Sequence, residues 1–148
     1  MDICHENEKG IYGDTAKRCL DIFKAIPKMR GVFDPANFVQ CGEDALFAWD
    51  KLKDYIKYMH IKDSKTDGTI VPAGMGDACI AQILKDYIAG GGTCLTLEPH
   101  LAVFEGLTAL EREGEQSAVG SMKYKSNEEA FDAGCTALKK ILGELKWK

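Results

Sequence analysis

The sequence predicts an α/β protein with a parallel sheet. Short apolar segments of strand length alternate with longer segments whose apolar residues recur at helical spacing. Strands that are separated by helices pair in parallel through right-handed crossovers. Four of the apolar segments also end at or beside a carboxylate or an imidazole, which would bring such groups to one edge of the sheet. No change in composition marks a domain boundary, so we interpret residues 1–148 as a single domain.

The first unit begins with a strand over residues 1–6, followed by a loop that contains Gly10 and Gly13. Asp14 or Thr15 is expected to cap the next helix, because either side chain can accept hydrogen bonds from the free N–H groups at a helix start. The apolar residues that share one face of this helix are Ala16, Cys19, Leu20, Phe23 and Ile26.

The second unit contains a short buried strand from Met29 to Phe33, which ends at Asp34. A helix at about residues 43–57 is expected to follow, because apolar side chains recur there at helical spacing. The side chains expected on its buried face are Ala45, Leu46, Trp49, Leu52 and Ile56.

The third unit combines a strand over residues 58–61 with a helix that Asp77 is expected to cap. A long loop over residues 63–76 lies between them, and its acidic beginning is interpreted as solvated. Residues 90–92, all glycine, are expected to end the helix. The residues expected to face inward are Ile80, Ala81, Leu84, Tyr87 and Ile88.

The fourth unit has a strand from Thr93 to Leu97 that ends at Glu98. A polar stretch over residues 105–125 follows, and Ser126-x-x-Glu129 then has the pattern of a capping box at a helix start. The final helix should run to about Leu145, with Phe131, Leu138, Ile141, Leu142 and Leu145 facing inward.

Composition excludes several classes of protein. A net charge of −4 and a pI of about 5.4 argue against a partner that is recognised through a phosphate backbone, so no nucleic acid is expected. No window approaches the roughly 18 consecutive apolar residues of a membrane span, and residues 1–4 have no signal-peptide character. The six cysteines are scattered without any C-x-x-C pair, which is typical of reduced thiols in a cytoplasmic protein.

Acidic residues and histidines are concentrated where the predicted strands end. All three histidines of the chain lie in the segments HEN, HIKD and EPH, and each has a carboxylate beside it or close by. Taken alone, an acid at a strand end is more often a helix cap or a solvated loop residue. Together, one residue from each unit offers the oxygen and imidazole ligands that a divalent metal requires. These candidate ligands are Glu6, Asp34, His60 and Glu98.

Several segments carry a resemblance to a known family. HENEKGIYGD, FDPANFVQCGED, YMHIKD, VPAGMGD and LTLEPHL resemble, in order, successive motifs of the sugar phosphate isomerase/epimerase family. That family has a xylose isomerase-like TIM barrel. The resemblance covers essentially the whole chain but only the second half of the barrel, strands five to eight. It therefore implies an α/β half-barrel of parallel βα units that lacks the first four units.

The resemblance implies a divalent metal, usually Mn²⁺ or Mg²⁺, with Zn²⁺ or Co²⁺ as alternatives. Carried over by motif, the metal ligands are Glu6, Asp34, His60 and Glu98, and the catalytic bases are Glu6 and Glu98. The expected reaction is an isomerisation or epimerisation of a sugar, a sugar phosphate or a related hydroxy-carbonyl compound. The metal would stabilise an enediolate, while one glutamate removes a proton and the other returns one.

Three further residues are candidates for substrate binding. Asn37 stands where epimerases of this family often carry a histidine; an asparagine can hydrogen-bond a substrate oxygen but cannot shuttle protons. Lys62 has the charge to bind a hydroxyl or a phosphate, although a strand-end lysine in solvent is an equally good interpretation. His100 follows the last candidate ligand by two positions, and a surface histidine is its alternative interpretation.

Two other functions remain open from the sequence. A truncated or inactive half-barrel would keep the metal motifs and bind metal without turnover. An apurinic endonuclease-like DNA-repair hydrolase is less favoured, because such an enzyme would need more histidines and a basic surface. Four strands cannot close a barrel that takes about eight. We therefore expect a homo-oligomer, a partner that supplies the missing N-terminal half, or poor solubility of the chain as an isolated fragment.

Overall fold

Four parallel strands form the sheet in the computed structural model of the chain, which describes residues 3–102 and 124–147. Successive strands lie side by side in the order β1-β2-β3-β6, and a separate antiparallel hairpin, β4-β5, follows β3 in the chain. The carboxyl ends of all four parallel strands therefore lie along one edge. The strands are β1 (Cys4–Glu6), β2 (Arg30–Phe33), β3 (Ile56–Ile61), β4 (Asp63–Ser64), β5 (Ile70–Val71) and β6 (Leu95–Leu97).

Helices separate the parallel strands, so the predicted α/β alternation is confirmed. Thr15 caps the first helix, where its hydroxyl accepts a hydrogen bond from Arg18 N at 3.3 Å. Among the described residues the helices are α1 (Ala16–Ala25), α2 (Pro35–Gln40), α3 (Ala45–Leu52), α4 (Ile80–Ala89) and α5 (Asn127–Glu144), with a 3₁₀ turn at Lys53–Tyr55.

The core lies between one face of the sheet and the helices. Side chains alternate between the two faces of a strand, and Met59 and Ile61 of β3 are fully buried in this core. Phe33 contributes from β2 and packs edge-on against Trp49 of α3, with ring centroids 5.2 Å apart. The alternate residue His60 points to the other face of the sheet. Burial of the first face thereby leaves the second face for polar side chains.

The second unit differs from its prediction in two ways. The predicted helix at 43–57 is too long: α3 ends at Leu52, and Ile56 already belongs to β3. Leu46, predicted to be buried, is exposed. The short helix α2 was not predicted; Pro35 occupies its first turn, where a missing N–H costs nothing, and Asp34 caps it.

Two other helices contain smaller corrections. Asp77 does not cap α4 as predicted, because Cys79, with φ +53°, occupies the position before the helix. The Asp77 carboxylate instead accepts hydrogen bonds from the N–H and the hydroxyl of Thr66, both at 2.7 Å. Ala81, predicted to face inward, is exposed, and Ile83 is buried in its place. Phe131 of α5 is also exposed, contrary to prediction.

The segment after β3, predicted to begin as a solvated loop, is organised around a buried carboxylate. Asp63 is 1% exposed and accepts hydrogen bonds from the backbone N–H groups of Gly74, Gly76 and Ala78 at 2.8, 3.0 and 3.2 Å. A Cβ atom at Gly76 would overlap this carboxylate and lie 2.6 Å from Ser64 O. The glycines of the VPAGMGD segment therefore let the backbone wrap around Asp63.

Ser126 caps α5 by accepting a hydrogen bond from Glu129 N at 3.1 Å, and Glu129 in turn accepts from Lys125 N. Most of the polar stretch predicted at 105–125 lies outside the described residues, as do Met1 and Asp2.

All six cysteines are free thiols. Among the described helices, none combines the length and the apolar character that crossing a membrane requires.

Candidate metal centre

Four side chains from four strands converge at the carboxyl edge of the sheet. Glu6 ends β1, Asp34 and Glu98 directly follow β2 and β6, and His60 is the penultimate residue of β3. Each offers one possible ligand atom, and these four atoms all lie within 4.8 Å of one another. The residues that the sequence singled out as metal ligands are therefore brought together in one cluster.

His60 lies at the middle of the cluster. Its Nδ1 is 2.9 Å from Glu6 Oε1 and 3.1 Å from Glu98 Oε1. Burial is the largest single effect on its pKa and acts to lower it, but the neighbouring carboxylates outweigh burial, so the pKa of His60 is raised. Burial raises the pKa of Glu98, and the charge of His60 partly offsets this. The cluster is thus rich enough in negative charge to hold a cation.

The two oxygens of Asp34 have different partners. Oδ1 caps α2 by accepting hydrogen bonds from Ala36 N at 2.9 Å and Asn37 N at 3.2 Å. Oδ2 is buried and accepts no hydrogen bond from the described residues, although Lys62 Nζ forms an ion pair with it at 3.0 Å. Backbone N–H groups fix one oxygen, and the other pairs with the Lys62 ammonium.

Lys62 brings a buried positive charge to the site. Only 5% of the residue is exposed. Burial, the largest single effect, acts to lower its pKa, but the attraction of Asp34 together with Glu8 and Glu98 outweighs burial and raises the pKa of Lys62. This side chain is therefore a charged neighbour of the cluster, and the interpretation as a solvated strand-end lysine is wrong.

The cluster fits a divalent metal ion on its geometry and its chemistry. Carboxylate oxygens and an imidazole nitrogen are common ligands of Mn²⁺, Mg²⁺ and Zn²⁺. Metal–ligand bonds of about 2.0–2.3 Å place opposite ligands about 4–4.6 Å apart, which agrees with a cluster whose atoms lie within 4.8 Å. The buried Oδ2 of Asp34 already pairs with a positive charge, the Lys62 ammonium at 3.0 Å, so this part of the site attracts cations.

The three predicted substrate residues lie in different surroundings. Asn37 is 1% exposed, and its Nδ2 donates to Asn7 O at 2.9 Å. His100 is half-buried with φ +45°, and it lines a cavity of about 510 Å³ between the segment after β6 and the first turns of α5. Burial lowers the pKa of His100, and the charge of Lys62 lowers it further. The substrate roles of these residues remain predictions.

Two residues near the cluster have roles that the sequence did not reveal. Asn7 is buried and bonds the backbone of Asp34, a contact between residues 27 positions apart. His5 packs instead against Phe23 of α1, with ring centroids 6.3 Å apart, and takes no part in the cluster. Neighbouring side chains of a strand point to opposite faces of the sheet. The sequence alone therefore predicts that His5 and Glu6 point apart.

Solved structures show which fold this chain shares. A xylose isomerase domain protein from Planctomyces limnophilus matches with a TM-score of 0.60 and 17% identity, over 95% of this chain and 45% of that chain. A protein described as the probable 3-DHS dehydratase of petrobactin synthesis in Bacillus anthracis matches with a TM-score of 0.57 and 18% identity, over 66% of this chain and 43% of that chain. The fold is that of xylose isomerase-like TIM-barrel proteins, and this chain spans less than half the length of either structure. No family model and no curated protein matches the sequence.

Proposed function

We propose that the chain is the second half of a metal-dependent sugar isomerase or epimerase, with strands that correspond to strands five to eight of the barrel. The observation that carries this proposal is the cluster of Glu6, Asp34, His60 and Glu98 at the carboxyl edge of a parallel sheet. Active sites of TIM-barrel enzymes lie at this edge. The likeness to a xylose isomerase domain protein supports the same chemistry.

The four clustered residues would hold the metal, and the two glutamates would also transfer protons. A divalent ion there would polarise a substrate carbonyl and stabilise the negative charge that develops on its oxygen. Glu6 and Glu98 approach His60 from different strands, on the two sides of β3. One carboxylate can then accept a proton from a substrate carbon while the other donates one from a different direction.

The remaining polar groups would bind the substrate. Lys62 has a charged ammonium group beside the cluster, and it would donate hydrogen bonds to a substrate oxygen. His100 is two residues from Glu98, close enough for the charges of Lys62 and Asp34 to affect its pKa, and it would contact the substrate beside the cluster. The Oδ1 atom of Asn37 has no hydrogen-bond partner among the described residues and could accept a hydrogen bond from a substrate hydroxyl. Because this oxygen is buried, a small movement would be needed for the two to meet.

A second half would complete the barrel. Within the described ranges, β1 pairs only with β2 and β6 pairs only with β3, so each leaves one strand edge without a neighbour. Both solved structures are more than twice as long as the part that this chain matches. We propose a second copy of the chain, or an N-terminal half, as the partner that pairs with these edges.

Metal binding, turnover and assembly test the proposal together. Protein stripped with a chelator should bind one Mn²⁺ per chain in a calorimetric titration, and Asp34→Asn, which keeps the Oδ1 cap but loses the anionic ligand, should bind it far more weakly. Incorporation of solvent deuterium into a panel of ketoses and aldoses measures proton transfer, and sedimentation measures assembly. Metal binding without any exchange, even in the assembled state, would instead indicate an inactive half-barrel. Failure of the wild-type chain to bind metal would refute the proposal.

A further inference from the structure

Asn7 ties the end of β1 to the residue that follows β2. The residue is 3% exposed, and both polar atoms of its side chain bond the backbone of Asp34. Nδ2 donates to Asp34 O at 2.8 Å, and Oδ1 accepts from Asp34 N at 2.9 Å. Asp34 has an extended backbone, in which the N–H and C=O of one residue point to the same side. The Asn7 amide thus adds a rung to the β1–β2 ladder beyond the pairing of Glu6 with Val32.

A second set of contacts connects Asn7 to the helix that Asp34 caps. Asn37, in the first turn of α2, donates from Nδ2 to Asn7 O at 2.9 Å. The same turn supplies the N–H groups that hold Asp34 Oδ1. Asp34 is therefore held at its backbone by Asn7 and at one carboxylate oxygen by α2. Its remaining oxygen, Oδ2, occupies a position that these contacts determine.

The neighbouring ligand is less constrained. The side chain of Glu6 is 31% exposed, and its carboxylate contacts His60 without bonding a helix N-terminus. Asn7 directly follows this adaptable ligand in the chain and is hydrogen-bonded to the rigid one. A shift of Asn7 relative to Asp34 would therefore move the backbone of Glu6 relative to the Asp34 carboxylate.

We propose that Asn7 is a positioning residue that sets the spacing between Glu6 and Asp34, and thereby the size of the divalent ion that the site accepts. The inference rests on the metal centre of the proposed function. Selectivity between small and large divalent ions depends on the size and flexibility of the cavity between the ligands. Loss of a residue that supports a metal ligand typically lowers metal affinity by about 10–100-fold.

The test compares Asn7→Ala and Asn7→Ser with Ser64→Ala. Ser64 is also buried, and its hydroxyl donates a hydrogen bond to Ala36 O of α2 at 3.3 Å. The control Ser64→Ala therefore loses a buried hydrogen bond to the same helix but keeps both bonds between Asn7 and the Asp34 backbone. Calorimetry on metal-free, folded protein measures the Kd for Mn²⁺ and for the larger Ca²⁺. NMR hydrogen exchange measures protection of the Asp34 amide.

We expect the Asn7 variants to bind Mn²⁺ about 10–100-fold more weakly than the wild type. Their preference for Mn²⁺ over Ca²⁺, measured as the ratio of the Ca²⁺ Kd to the Mn²⁺ Kd, should be smaller. The Asp34 amide should exchange faster. Ser64→Ala should be destabilised but keep both Kd values. If Asn7→Ala does not fold, Asn7→Ser and Asn7→Asp, which keeps the acceptor for the Asp34 N–H, supply the comparison. Wild-type affinity and selectivity in a folded Asn7 variant would overturn the positioning role alone. Wild-type protein that binds no Mn²⁺ would overturn the metal centre as well.

Discussion

Lys62 Nζ lies 3.0 Å from Asp34 Oδ2, in a contact where the Lys62 side chain is 6% exposed and the Asp34 side chain is fully buried. Asp34 also belongs to the cluster, in which it contributes one carboxylate oxygen within 4.8 Å of the ligand atoms of Glu6, His60 and Glu98. A lysine ammonium and a divalent ion at this carboxylate repel each other. The ion pair therefore stabilises the metal-free protein and opposes metal binding.

Lys62→Met should raise the affinity for Mn²⁺ by at least about tenfold, because a positive charge within a few ångströms of the ion is removed. The same change should lower the free energy of unfolding of the metal-free protein by about 3 kcal/mol, because the Asp34 carboxylate is left buried without its partner. Lys53→Met is the matched control: its ion pair with Asp50, also 3.0 Å, is exposed. Calorimetric titration and urea unfolding give the two quantities. Weaker Mn²⁺ binding by folded Lys62→Met would mean that Lys62 holds Asp34 in place instead of competing with the ion.

Glu6→Gln and Glu98→Gln should each abolish exchange of substrate C–H protons with solvent while the fold stays intact. An amide cannot accept the proton, and general-base catalysis typically contributes about 10²–10⁴-fold. NMR detection of deuterium incorporation into the sugar measures the loss, with circular dichroism as the check on folding. Glu144→Gln, a change at an exposed position at the end of α5, should have no effect. Full activity in either of the first two variants contradicts the two-base mechanism.

Gly76→Ala should lower the free energy of unfolding by about 2 kcal/mol, because a Cβ atom there collides with the Asp63 carboxylate and with Ser64 O. Gly143→Ala is the opposite case. This glycine lies in the last turn of α5 with open space around the added atom, and alanine should stabilise the helix by roughly 0.5 kcal/mol. Urea unfolding of both variants measures the difference. Equal stabilities would show that the loop around Asp63 can relax to accommodate a methyl group.

Cys19 should be unreactive in the native protein. Burial, with a smaller effect from the charges of Glu43 and Asp14, raises the pKa of its thiol to about 12, so only about 10⁻⁴ of it is thiolate at pH 8. Iodoacetamide should modify the exposed thiols of Cys79 and Cys94 first, and Cys19 only after unfolding. Mass spectrometry of the digested protein identifies the modified positions.

The same thiol should contribute to the pH dependence of stability. Its pKa is higher in the folded state than its ordinary value of 9.0, so the folded state retains a proton that the unfolded state loses. The contribution is fully present below about pH 9 and is lost as the pH rises towards 12. Cys19→Ala should flatten this part of the profile in urea unfolding, and an unchanged slope would contradict the assignment.

The convergence of Glu6, Asp34, His60 and Glu98 could be predicted because it follows from topology. Parallel strands that alternate with helices end on one side of the sheet, and each residue stands within two positions of an apolar run's end. Short apolar runs were enough to find the four parallel strands, whereas the β4–β5 hairpin lies in a segment predicted to be a loop. The metal itself, the reaction and the second half of the barrel stay predictions.

Other features depend on contacts that have no local period. Asn7 bonds a residue 27 positions away, and Asp63 bonds backbone groups 11 to 15 positions away. The spacing of Ile56 from Leu52 fits a helix, but Ile56 also begins the apolar segment that forms β3. Its pairing with Gly31 of β2 places it in the strand. Phe131 is predicted to face the core but is exposed. Apolar character alone does not determine which side of a helix packs against the core.

The wrapping of residues 74–78 around Asp63 also matters for protein engineering. Surface loops usually tolerate insertions, and Met75, which is 54% exposed, has the exposure that makes a loop position attractive for a tag. A change in chain length there would pull N–H donors away from a buried carboxylate that has no access to water. A reporter group should therefore be attached through the side chain, for example after Met75→Cys, with the number of backbone atoms in the loop left as it is.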